Sequence, residues 1–169
     1  AQGLMDMGVD VICLNMVPSP VFYYAAKKLN IPAGVMITAS HNPPEYNGFK
    51  ILRGESTIHT TAIQELRKLM AANGGPRPDR IPVLSTHDIV PTYLEELAAQ
   101  MPLIKPLTVV VDGGNGAGGL ILADMLAKSG ARVIPLFCEP DGDFPNHHPD
   151  PVVEKNTTAL RAAVLEHKA

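Results

Sequence analysis

The chain has 169 residues, 46% of them hydrophobic and 18% charged, and a net charge of −3 at pH 7. That length suits one domain or two small ones with ample apolar content for a core, and a near-neutral chain with no basic block argues against nucleic-acid binding. The longest apolar runs, such as Leu107 to Val111, fall far short of the roughly 20 residues a membrane helix needs.

In chain order, residues 9–15 (VDVICLN) read as a strand. Pro18-Ser19-Pro20 breaks it, and 21–29 reads as a helix ended by Asn30. Residues 34–38 (GVMIT) read as a short buried strand, 39–48 as a loop, and 48–52 (GFKIL) as a returning strand, with Asn47-Gly48 as the turn signal. Helical spacing puts Ile63, Leu66, Leu69 and Met70 on one face of a helix over 61–72, and Thr61-Ala62-Ile63-Gln64 fits a capping box. Residues 73–86 read as a Pro-rich connection, and Asp88 as a cap for a helix over 90–100 that turns Leu94 and Leu97 inward. A βαβ unit follows: strand 107–112, a glycine turn, helix 119–129 closed by Gly130, and strand 132–137. Residues 139–155 read as a loop and 157–168 as a last helix. Alternating strands and helices predict α/β architecture, as two incomplete α/β units with mixed sheets and flanking helices. Their boundary is expected between about 76 and 106, drawn as 1–86 and 87–169. Ala1-Gln2-Gly3 carries no basic leader region, and Cys13 and Cys138, in apolar segments without metal spacing, read as buried, reduced thiols of a cytoplasmic protein. A start without Met and an end inside a helical pattern suggest an incomplete polypeptide.

Four stretches invite chemistry. Ser40 stands just past a strand end, where α/β folds place reacting groups, with His41 beside it and Lys50 on the returning strand. A cation near a phosphorylated serine would stabilise its charge, and His41 or Lys50 could move protons for the hydroxyl. The plain alternative is a serine that bonds the local backbone of a Pro-containing turn. No G-x-S-x-G pattern surrounds it, so a hydrolase triad fits poorly. Gly114, Gly116 and Gly119, with Glu139 further on, satisfy a dinucleotide-binding spacing, although the same glycines would also serve a tight strand-to-helix turn and Asp112 is an unwelcome charge there. Asp141, Asp143, His147 and His148 raise a metal reading, set against polar side chains that fix a loop. In Pro18-Ser19-Pro20 the prolines stiffen the connection, with ligand binding as the other option.

"ITASHNPPEYNGFKI" closely resembles the active-site serine loop of the α-D-phosphohexomutases. "NMVPSP" resembles a loop of that family's first domain, and "VVVDGGNGAGG" with "GDFPNHHPDP" the opening of its second. The four motifs occur in the family's order over nearly the whole chain. They are most similar to the phosphomannomutase/phosphoglucomutase branch, with phosphoglucosamine mutases as the nearest competitor. The resemblance implies that 1–86 is the later part of domain one and 87–169 most of domain two. It further implies that Ser40 carries a phosphoryl group, donates it to a hexose monophosphate, and regains the other phosphate from the 1,6-bisphosphate. The expected substrates are glucose or mannose 1- and 6-phosphates. Mg²⁺ would contact an oxygen of the Ser40 phosphate, Lys50 would serve as general acid/base, His41 as charge and proton partner, and Asn42 would shape the loop. The family uses no nicotinamide, and its D-G-D-x-D-R metal loop is not matched by Asp141-Gly142-Asp143-Phe144-Pro145. That loop, the sugar loop and the terminal phosphate site are expected after residue 169, and an arginine before residue 1. The isolated chain is therefore expected to be nearly inactive.

Overall fold

In a computed structural model, the structure describes residues 1–40, 42, 45–72, 79–103 and 105–169. A short helix α1 (Gln2–Met5) leads into strand β1 (Val11–Cys13). Helix α2 (Ser19–Lys28) starts with Pro20 in its first turn, where a missing N–H costs nothing, and gives way to Asn30 in the left-handed region at φ 51°. Strands β2 (Ala33–Ile37), β3 (Phe49–Arg53) and β4 (Ser56–Thr57) form an antiparallel sheet in the order β2-β3-β4. Helix α3 (Thr61–Ala71) follows, then β5 (Leu84–Thr86) and helix α4 (Val90–Gln100). The second unit is β6 (Thr108–Asp112), α5 (Gly119–Lys128) and β7 (Arg132–Leu136), with β6 and β7 parallel as a βαβ crossover requires. A 3₁₀ turn over Glu154–Thr157 leads into α6 (Thr158–His167), which packs on β6. Parallel and antiparallel sheets with flanking helices are the mixed α/β architecture that the alternating pattern predicts.

The main core joins Val17, Val21, Phe22, Ala25, Leu52 and Ile89, with Tyr93 of α4 and Ile121 of α5 packed against it. Val21 is fully buried, and burial of Phe22 contributes about 2 kcal/mol. Gly34 makes room for Phe22: a Cβ there would meet the ring at 2.8 Å. The exposed Lys28–Glu96 ion pair between α2 and α4 counts for little beside this burial.

Several expectations are corrected. Residues 84–86 are a strand, parallel to β1 with Val11 opposite Leu84, rather than part of an irregular connection. A bidentate Arg80–Asp10 pair and a Val83 N–H donated to Asp10 at 2.8 Å hold it there. The capping box is not formed: the N-cap is Thr60, and no side chain caps the helix, because Thr61 is already inside it. The apolar face of α3 is uncovered among the described residues, with Leu69 and Met70 about 70% exposed (70% and 72%). Cys13 is only half-buried, whereas Cys138 is buried, and that burial pushes its thiol pKa up. Asp88 does serve the start of α4, accepting the Val90 N–H at 3.2 Å, and Leu94 is buried.

Candidate active site

The serine loop closes the β2–β3 hairpin. Ile37 pairs with Phe49 and Met36 with Lys50, and the Thr38 N–H donates to the Gly48 carbonyl at 2.8 Å. The reversal is therefore made by residues 39–47, not by Asn47-Gly48. Neither of those two residues has positive φ, which a two-residue type I′ turn needs at both central positions. Gly48 is required for another reason: a Cβ would lie 2.3 Å from the Thr38 carbonyl oxygen.

Ser40 sits exposed on this loop at φ 55°. A serine in the left-handed region costs on the order of 1 kcal/mol or more, and such outliers gather at functional sites. Its N–H donates to the Thr38 hydroxyl at 3.2 Å, and the Asn42 N–H to the Ala39 carbonyl at 3.0 Å. Thr38 thus supplies a side-chain acceptor within this turn. His41 lies outside the described residues.

Lys50 is half-buried on β3. Its Nζ donates to Ser19 Oγ at 2.7 Å, and Ser19 Oγ in turn lies 3.5 Å from Met36 Sδ. Ser19 opens α2 in the Pro18-Ser19-Pro20 loop, so that motif and the serine-loop hairpin meet through this contact. The spacing gave Ser19 no such role; the only hint was a hydroxyl between two prolines at a strand end.

The two later motifs also converge. Asp112, at the end of β6, accepts the Gly114 N–H at 2.9 Å and faces His147 Nε2 with both carboxylate oxygens at 3.0 Å. Buried Asn115 donates its side-chain amide to the Glu139 carbonyl at 2.9 Å, and its Oδ1 accepts from Asn146 at 2.8 Å. These bonds latch the 139–150 loop across the glycine turn. Several of the turn's amides are already bonded: Gly113 to Leu136, Asn115 to Phe137, Gly116 to Gly113 and Gly119 to Gly116. A pyrophosphate cradle needs N–H groups pointing at the ligand, and these bonded ones do not offer that. Gly113 and Gly119 serve close packing, with added Cβ atoms 2.8 and 2.9 Å from Cys138 Cα. The metal reading gains nothing either. His147 turns inward, His148 stays exposed, Asp141 accepts the Asp143 N–H, and no three His, Cys, Asp or Glu residues gather as a metal group among the described residues.

His147 also meets the His148 carbonyl through Nδ1 at 3.0 Å. A neutral imidazole can donate to only one of its two acceptors; the imidazolium serves both. The His148 carbonyl, opposed by burial and helped by Asp112, therefore raises the His147 pKa. A raised folded-state pKa gives stability that is complete below the unfolded value, about 6.5, and lost as pH rises through the folded pKa. The melting temperature of wild type relative to His147→Gln is expected to fall on passing from pH about 6 to 9. Parallel melting curves across that range would remove the linkage.

Residues 1–75 match the α/β/α domain I model of phosphoglucomutase/phosphomannomutase, and residues 91–169 match the α/β/α domain II model. Two such units carrying an exposed serine loop define a chain of the phosphohexomutase type. The chain belongs to the phosphoglucomutase/phosphomannomutase family. It is 44% identical over 168 residues to a phosphomannomutase/phosphoglucomutase of Pseudomonas aeruginosa, with 99% of this chain aligned to 36% of that protein. A Methanobrevibacter smithii protein whose name includes phosphoglucosamine mutase is 36% identical over 166 residues, covering 96% of this chain and 37% of its own length. The crystal structure of a phosphoglucomutase/phosphomannomutase family protein from Burkholderia thailandensis superposes with a TM-score of 0.88 at 34% identity, over 97% of this chain and 37% of that one. The chain thus spans a little over a third of the length of the relatives it matches. Among the described residues, no helix is long and apolar enough to cross a membrane.

Proposed function

We propose that the protein carrying this chain interconverts the 1- and 6-phosphates of glucose and mannose, with Ser40 as phosphoryl carrier. The observation that carries the reading is the left-handed Ser40 on the exposed loop of a hairpin whose returning strand bears Lys50. In the transfer, the Oγ–P bond of phosphoserine breaks as a sugar hydroxyl bonds to phosphorus. That hydroxyl loses a proton and Ser40 Oγ gains one. Lys50 is the group assigned to proton movement at Ser40 Oγ, with His41 as a further charge and proton partner. The second half reverses these bonds at the other phosphate of the hexose 1,6-bisphosphate. Positioning and charge neutralisation dominate such transfers.

Mg²⁺ is the ion this reading implies, touching this chain at the phosphate oxygen of Ser40. The described residues do not form a carboxylate cage for it. The reading puts glucose and mannose phosphates ahead of glucosamine phosphate because the chain is 44% identical to the Pseudomonas phosphomannomutase/phosphoglucomutase and 36% identical to the Methanobrevibacter protein. The test uses the full-length protein incubated with glucose 1,6-bisphosphate. Peptide mass mapping should place one phosphate on Ser40, and glucose and mannose 1-phosphates should convert to 6-phosphates faster than glucosamine 1-phosphate. Phosphate on another residue, or preference for the amino sugar, would overturn the corresponding half.

A further inference from the structure

We propose that Ser19 is a positioning residue for Lys50, holding its ammonium at the serine loop; this rests on the mutase reading above. The hydroxyl has one proton and two lone pairs. With the proton turned to Met36 Sδ at 3.5 Å, a lone pair faces Lys50 Nζ at 2.7 Å. Met36 is also the cross-strand partner of Lys50, so one hairpin face and the start of α2 converge on a single amine. The anchor is rigid. Pro18 and Pro20 flank Ser19, the Val21 and Phe22 N–H groups both donate to the Pro18 carbonyl, and both side chains are buried. The lysine is the opposite: four rotatable carbons that spread over many rotamers without a partner.

The contact sits where the helix's own electrostatics work against it. The N-terminal end of a helix carries partial positive charge, so an ammonium there is disfavoured. The placement makes sense where the position of the amine matters more than its energy. A misplaced catalytic group loses rate without losing fold.

The experiment compares Ser19→Thr, Ser19→Val and Lys50→Met in the full-length protein, with Ser19→Val also made in the Lys50→Met background. Thr and Val match in shape and differ in the hydroxyl. Ser19→Val should lower kcat about tenfold with KM changed less than about twofold, and Ser19→Thr should restore most of it. In the Lys50→Met background Ser19→Val should cost nothing further. Equal kcat for Thr and Val, or a full Ser19→Val loss without Lys50, overturns the role of Ser19 while leaving the mutase reading intact. Wild-type kcat in Lys50→Met would overturn both assignments. Should Ser19→Val not fold, Ser19→Ala enters the same comparison against Ser19→Thr.

Discussion

Ser40→Ala in the full-length protein is expected to abolish phosphate incorporation and to lower interconversion of hexose phosphates by at least about a thousandfold. The size of the effect follows from the covalent role: without Oγ there is no bond to carry the phosphoryl group between the two half-reactions. Folding should be almost untouched. Ser40 is exposed, and the substitution leaves in place the bonds from the Ser40 N–H to the Thr38 hydroxyl and from the Asn42 N–H to the Ala39 carbonyl. Alanine keeps the cost of the left-handed conformation at φ 55° and changes only the hydroxyl. Intact mass, melting temperature and turnover together decide the matter. A variant that keeps wild-type turnover would refute the carrier assignment, and a variant that unfolds would show that Ser40 is structural after all.

Gly48→Ala is the second large effect, and it acts through the backbone. The new Cβ would stand 2.3 Å from the Thr38 carbonyl oxygen, far inside van der Waals contact. Thr38 and Gly48 close the hairpin with a 2.8 Å bond, so relief requires the strands to part where they present Ser40 and Lys50. The expected loss is about 2–3 kcal/mol of stability, with turnover falling further than stability alone explains. Denaturant midpoints and kcat on the same preparations would test this. A midpoint equal to wild type would mean that the hairpin end yields at no cost.

Much of this was legible in the residues. The βαβ unit over 108–136 follows from an apolar run, a glycine turn and Gly130 after the helix, because these local preferences agree with the fold. Helices α2, α4 and α5 were readable from the same kind of signal. Strand β5 was not. Leu84–Thr86 is short and exposed, and only pairing with β1 makes it a strand. The capping box misled because Ser/Thr-x-x-Gln spacing marks a helix start only when the first residue stands outside the helix, and Thr61 stands inside. Asn47-Gly48 misled in a similar way, being a strong dipeptide signal for a turn that a longer loop makes instead.

Four ordered motifs pointed to the family whose domain I and domain II models match residues 1–75 and 91–169. They also singled out Ser40, His41 and Lys50 as the residues to question. Two matters depended on the tertiary structure. Most amides of the glycine turn are already bonded, and Asn115 ties the 139–150 loop across it. The Lys50 amine meets Ser19, a residue 31 positions earlier. Spacing along the chain does not report such contacts: a hydroxyl and an amine that far apart become neighbours only when a helix start and a hairpin face pack together.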